Sequence, residues 1–192
     1  MFQKTPLAWF NLTYERRRLI TAIAGVAFAV LLMFMFVGFK NALYDSQVQL
    51  LKLFNAEVVL VSTLKDNMIV PEQFARRRLY QARAFEGVED VYPFYIRTAD
   101  WKNPATGDVR PLRVLAFNAN DPVLNLPEIW EQREQLRGYN TALMDLRSRP
   151  EIGEPEVGIE TELSKRQIRV VGTFTLGTDF ASGNGNLILS DR

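Results

Sequence analysis

The sequence contains no cysteine and no histidine. Without cysteine, nothing here rests on disulfides or thiol chemistry, and any folded domain must be held by its core alone. Without histidine, the commonest general base and the commonest zinc ligand are missing together. Basic excess is also scarce. The net charge is +1 over 192 residues, and it is unevenly spread. Residues 1–40 carry Lys4, Arg16, Arg17, Arg18 and Lys40 against Glu15, a net of +4, which leaves −3 for the rest. A downstream region with no basic surplus argues against nucleic acid as a partner. No G-x-x-x-x-G-K-[ST] occurs, so the chain has no phosphate loop of its own.

Charge is missing altogether from Leu19 to Phe39, 21 residues of which 12 are Leu, Ile, Phe or Val. A helix of that length is about 31 Å long, against a hydrocarbon core of about 30 Å. Those side chains favour insertion by about 4–7 kcal/mol. A buried core helix would keep a polar face, and only Thr21 is polar here. A cleaved signal would have a shorter apolar region followed by a small-residue site, and "GFKNALYDS" offers a poor one. The run therefore reads as a transmembrane helix. Three arginines precede it and one lysine follows, which puts the N-terminus in the cytoplasm and residues 41–192 outside. Trp9, Arg16, Arg17, Arg18 and Lys40 are the expected anchors at the two membrane interfaces. Ala22, Gly25 and Ala29 fall on one helical face and are the expected seam against another membrane helix.

The flanks extend the pattern. Leu7, Phe10 and Tyr14 share a stripe in "TPLAWFNLTYERRR", an amphipathic leader suited to the inner membrane surface. After the run, Leu43, Gln47, Leu50 and Phe54 form another stripe with neither Gly nor Pro to break it. The spacing predicts one helix from Leu19 to about Phe54, projecting beyond the bilayer as a stalk; an amphipathic helix that packs on its own domain fits the pattern equally.

The remainder reads as an α+β domain in two subregions. "AEVVLVS" is a predicted strand. "PEQFARRRLYQARAFEG" is a predicted helix, with Ala75, Leu79, Ala82 and Phe85 on its dry face and Arg76, Arg77, Arg78 and Arg83 on its wet one. "VEDVYPFYIRTADW" and "VRPLRVLAFN" are strands about the turn "KNPATGD". "NLPEIWEQREQLRG" and "NTALMDLRSR" are predicted helices. "EVGIETEL" and "RQIRVVGTFTL" form a hairpin, with Ile168, Val170, Phe174 and Leu176 alternating on its second arm and Gly172 in phase. "LILS" is the last strand.

Chemistry is sparse. Ser182 lacks the first glycine of a nucleophile elbow and has no histidine to serve it. "GNGN" at 183–186 is a glycine-rich loop rather than a dinucleotide fingerprint. Glu154, Glu156, Glu160 and Glu162 are spaced by two or four, so Glu160 and Glu162 share a strand face and are the one candidate acid–base pair. A solvated hairpin face is the preferred account of them, and the chain is expected not to be an enzyme and to carry no cofactor or metal.

Several segments in order resemble a known family: the "TPLAWFNLTYERRRLITAIAGVAFAVLLMFMFVGF" opening, "GVEDVYP" after a helix, "LRSRPEIG", and "RVVGTFTLGTDFASGNGNLILSD". They are similar to the N-terminal half of DevC-type permease subunits, ABC exporters of the wider MacB and FtsX-like class. The resemblance implies residues 1–18 as a cytoplasmic leader, 19–39 as the membrane helix, 40–54 as the stalk and 55–192 as a MacB-like periplasmic domain. It implies a bacterial inner-membrane location and a homodimer. The implied partners are a cytoplasmic ABC ATPase, a periplasmic adaptor and an outer-membrane tunnel protein. Cargo in such systems is lipid or glycolipid, in cyanobacteria. The family has three further membrane helices, so the chain is expected to be a truncated or split permease. The alternative is a single-pass, membrane-anchored binding or sensor domain. A membrane-anchored hydrolase built on Glu160 and Glu162 is a third.

Overall fold

In the computed structural model, residues 14–62, 75–179 and 183–191 are described. Residues 1–13 of the expected leader, with Trp9, the start of the arginine-rich helix with Pro71, and Ser182 lie outside them. The chain divides into two units, Met1–Asp45 and Ser46–Arg192.

The first unit is dominated by helix α1, Arg16–Val48, 33 residues long. Its apolar side chains face outward on every side: Phe34 is 73% exposed and Phe36 is 71% exposed. The one polar residue of the run is satisfied locally, since Thr21 Oγ1 donates to the Arg17 carbonyl at 3.0 Å. That bond removes the cost of carrying a hydroxyl into an apolar surrounding.

The helix stops at Val48, short of the expected Phe54. A turn at Gln49–Leu50 follows, then a 3-10 turn Leu51–Leu53. Periodicity alone pointed further, but Leu50 is buried in the second unit's core and Leu53 and Phe54 pack against it. Burying those three side chains outweighs one more helical turn.

The second unit is a closed six-stranded barrel in the order β1-β2-β6-β3-β5-β4. The strands are β1 Tyr95–Lys102, β2 Val109–Phe117, β3 Thr141–Asp145, β4 Glu160–Leu163, β5 Arg166–Phe174 and β6 Asn186–Ser190. Short helices α2 Arg77–Arg83, α3 Pro127–Glu131 and α4 Arg133–Leu136 accompany them. The α+β class holds. The two expected subregions are joined through β6, which pairs parallel with β2 and antiparallel with β3.

Both expected hairpins form. Between β1 and β2, Asn103 Oδ1 accepts the backbone N–H groups of Ala105 and Thr106, and Gly107 takes a φ of 79°. Between β4 and β5, Ser164 and Lys165 both adopt positive φ, the twist a two-residue hairpin needs.

Three expectations are corrected. "NTALMDLRSR" is not helical; residues Thr141–Asp145 form β3, lying between β5 and β6. Ala142 to Asp145 are all buried, so the segment needs apolar contacts on both faces, which a central strand supplies. "AEVVLVS" makes no ladder among the described residues, and Val58 is 84% exposed. The alternation along β5 is interrupted. Ala142 pairs with Val170 but Leu143 pairs with Gly172, so Val171 is the extra residue of a bulge. Ile168 and Val170 therefore belong to one apolar cluster, and Phe174 and Leu176 to the other.

Those clusters lie on the two sides of the sheet. One gathers Trp101, Leu112, Met144, Ile152, Val170 and Leu187. The other gathers Leu115, Phe117, Leu143, Phe174 and Ile188 with Ile129 and Leu136 of α3 and α4. Neighbouring β6 residues Leu187 and Ile188 serve opposite clusters and are both fully buried, as expected of a strand covered on both faces.

Candidate functional site

For a chain without catalytic signatures, the places to look are where the helix could associate, where it joins the domain, and where charge is buried. The expected helix seam is open. Ala22, Gly25 and Ala29 are all exposed, and a Cβ added at Gly25 would meet nothing within 4 Å. Arg16, Arg17, Arg18 and Lys40 are exposed at the two ends of the apolar run, with Arg18 3.4 Å from Glu15 and Lys40 5.8 Å from the Tyr44 ring centroid. Among the described residues, α1 is the one helix long and apolar enough to cross a membrane.

The junction after α1 is clamped into the barrel unit. Gln49 Nε2 donates to the Leu176 carbonyl at 2.8 Å. Leu50 is buried. The Asn125 N–H donates to the Leu53 carbonyl at 2.7 Å, and the Asn55 N–H to the Val123 carbonyl at 2.9 Å. Phe54 meets Phe94 edge to face, and Phe94 stacks on Phe117. Backbone bonds, a buried leucine and an aromatic chain thus fix residues 49–55 against β2 and the loop before α3.

That clamp continues into a buried polar network. Asp145, at the end of β3, is fully buried and accepts four hydrogen bonds. They come from the N–H groups of Leu176 (3.1 Å), Gly177 (2.9 Å) and Arg147 (3.0 Å) and from Asn186 Nδ2 (2.6 Å). Asn186 also donates to the Gly177 carbonyl at 2.9 Å, while its Oδ1 accepts from Arg113 Nε at 2.8 Å. Arg113 Nη1 reaches Asp179 Oδ2 at 2.8 Å, an ion pair with both side chains buried. Leu176 is the hinge between clamp and network: its carbonyl takes Gln49 and its N–H goes to Asp145. A route of direct hydrogen bonds therefore runs from the end of α1 to the Arg113–Asp179 pair. Arg113 Nη2 is buried beside these bonds without a hydrogen-bond partner, but in a low-dielectric interior the bonds that are made resist being pulled apart.

A second bridge holds the short helices. Gln132 Nε2 donates to the carbonyls of Glu128 and Thr173, and its Oε1 accepts from the Thr173 N–H at 3.0 Å. Gly172 is a glycine for this reason, since any Cβ there would overlap the Gln132 amide.

The candidate acid–base pair is placed differently. Glu160 and Glu162 are exposed on β4; Glu160 accepts from Gln167 at 3.1 Å and Glu162 pairs with Lys102 at 3.3 Å. Both face water rather than a cleft. Elsewhere, Asp121 has its pKa raised by partial burial and then by the neighbouring Asp191 and Asp90. Among the described residues no group of three or more acidic side chains is arranged to hold a metal.

Sequence reasoning missed Asp145, Asn186, Arg113 and Gln49. Asp145 was hidden because its segment was read as a helix. Asp179 stood in a stretch read as a glycine-rich loop. A buried charge leaves no periodic signal of its own, so only the strand assignment would have exposed it.

No family model matches the sequence, and no curated protein matches it. Among solved structures, one similar chain is the extracellular domain of the noncanonic ABC-type transporter YknZ from Gram-positive bacteria. The likeness has a TM-score of 0.39 at 8% identity, over 60% of this chain and 61% of that one. At that TM-score it assigns neither fold nor function to this chain.

Proposed function

We propose that this chain is a membrane-anchored, non-catalytic part of an ABC-type exporter permease. α1 crosses the bacterial inner membrane with its N-terminus inside, and the barrel unit stands on the periplasmic side. A cytoplasmic ATPase subunit hydrolyses ATP, and movement of α1 is passed to the barrel. The barrel in turn acts on a periplasmic adaptor and an outer-membrane tunnel protein. The permease works as a homodimer, and its cargo is a lipid or glycolipid.

The observation that carries this reading is the clamp at residues 49–55. A passive tether calls for a slack linker. Here the segment after the helix is bonded and buried, which suits a part that transmits movement. The ordered resemblance to DevC-type permeases supplies the ATPase and the cargo class, and the outward-facing small residues on α1 leave room for a second membrane helix.

The test is to purify the tagged chain from its native membrane in mild detergent. An ATP-hydrolysing subunit is expected to co-elute, and Gly25→Leu is expected to reduce its amount several-fold. A chain that elutes alone with its barrel intact, and whose association is indifferent to Gly25→Leu, would sink the exporter reading. One observation favours a single-pass binding protein: the barrel unit has its own complete core. Ligand binding by the chain with no ATPase present would select that reading.

A further inference from the structure

Helix α2 presents an unusual surface. Only Leu79 and Ala82 are half-buried; every other residue from Ala75 to Asp90 is exposed. Arg76, Arg77 and Arg78 come in succession, and among the described residues no acidic side chain lies within ion-pair distance of any of them. Arg78 Nη1 is held by Gln81 Oε1 at 2.8 Å, and Arg83 pairs with Asp90 at 3.1 Å. Glu86 and Glu89 follow in the sequence but pair with none of the three. Tyr80 is 77% exposed, one helical turn after Arg76 and Arg77, and Phe85 is exposed beyond it.

We infer that α2 with the residues flanking it rests on the surface of a bilayer carrying anionic lipid, with Arg76, Arg77 and Arg78 on the headgroup phosphates and Tyr80 and Phe85 at the level of the glycerol. Three features favour that occupant. First, the charge is complementary: three guanidiniums with no carboxylate partner among the described residues sit together in a unit whose overall balance is acidic. Second, the side chains are of two kinds. Arginine alone suits any anion, but a tyrosine flanked by arginines is the combination found at membrane interfaces, where a ring sits half wet and half dry. Third, a chain held by a membrane span keeps its outer unit at a high effective concentration of lipid, which a soluble acidic protein must outcompete. This rests on the reading of α1 as a span.

Because the chain has no cysteine, single labels can be placed at will. Ala84→Cys, next to the arginine face, carries a nitroxide, and Phe28→Cys within α1 carries the same label as a control. The full chain is reconstituted into vesicles of phosphatidylcholine alone and of equal parts phosphatidylcholine and phosphatidylglycerol. Collision with oxygen and with a water-soluble nickel complex is then measured. In the anionic vesicles the Ala84 label should gain oxygen access and lose nickel access several-fold. High salt should reverse most of the change, and Arg76→Glu with Arg77→Glu and Arg78→Glu should abolish it. A label equally open to nickel in both compositions overturns the proposal, as does a shift that survives the three substitutions. Shielding from both relaxers marks a protein partner and also overturns it. If the Phe28 label reads hydrocarbon in every case, these failures belong to α2 alone. If Phe28 reads water, the span fails and the α2 proposal fails with it.

Discussion

The apolar run of α1 and the strands of the barrel have similar side chains and opposite surroundings. Leucine, isoleucine, valine and phenylalanine dominate both. In α1 they stand outward, as at Phe34 and Phe36, while in the barrel Leu143 and Ile188 are fully buried. The difference teaches what each region takes as its solvent. The barrel completes its own burial: both sides of the sheet are covered, and Asp145 and Asn186 are hydrogen-bonded on every side-chain heteroatom. α1 completes nothing by itself except its backbone hydrogen bonds and the bond from Thr21. A helix satisfied in its polar groups and unsatisfied in its apolar ones is at home in lipid, where only the first requirement applies.

The strongest way to break that comparison is to put charge into the run. Each leucine-to-arginine change at mid-span costs about 3–4 kcal/mol of insertion. Leu31→Arg with Phe34→Arg therefore removes about 6–8 kcal/mol, as much as the whole run provides. The doubly substituted chain should be extracted from membranes by carbonate, while thermal unfolding of the barrel unit stays where it was. Retention of the variant in the membrane would remove the contrast between the two regions.

The converse experiment places the damage in the barrel. Asp145→Ala leaves two buried backbone N–H groups and the Asn186 amide without their acceptor, at about 1–3 kcal/mol for each lost partner. A loss of about 3–5 kcal/mol in barrel stability is expected by chemical denaturation, with membrane retention unchanged. Asp145→Asn should lose less, since one acceptor oxygen remains. Equal stability of wild type and Asp145→Ala would show that the network is incidental to the fold.

The two regions were also unequally legible. α1 was readable because one signal, an uncharged apolar run between basic flanks, fixes both its structure and its surroundings. The β1–β2 hairpin was readable from the Asn, Pro and Gly of its turn, and the β4–β5 hairpin from the alternation on its second arm. The barrel's closure was not. β2–β6 and β3–β5 are parallel pairs of distant segments, and nothing local records them. β3 was misread because four successive buried residues, Ala142 to Asp145, have no period to betray a strand. The end of α1 was misplaced because Leu50 and Phe54 fit a helical stripe as well as they fit the barrel core. As for the candidate site, the small and the charged residues of α1 are plain in the sequence, but the clamp and the polar network exist only once the barrel has closed.

A finer cut separates the bulge from the strand around it. Gly172→Ala should cost about 2–3 kcal/mol, because its Cβ displaces the Gln132 amide from Thr173 and presses on Leu143. In a Gln132→Ala background the same change should cost at most about 1 kcal/mol, since the obstructing amide is gone. A double-mutant cycle on thermal stability checks this. Strict additivity would mean that Gly172 is required by the bulge backbone itself rather than by the glutamine above it.

The smallest effect belongs to the residues that look most like chemistry. Glu160 and Glu162 alternate on β4, and their spacing alone suggests an acid and a base. Both are exposed, with Gln167 and Lys102 as their partners. Exposed pairs of this kind contribute about 0–1 kcal/mol, and losing them is screened away by salt. Glu160→Gln and Glu162→Gln, singly or together, should change barrel stability by less than about 0.5 kcal/mol. They should also leave co-elution of an ATPase subunit intact. A large loss of any glycoside-cleaving activity in these variants would instead restore the hydrolase alternative. The outcome matters for the comparison, because a barrel whose exposed carboxylates are inert and whose buried Asp145 is indispensable uses its charge to hold its fold together rather than to react.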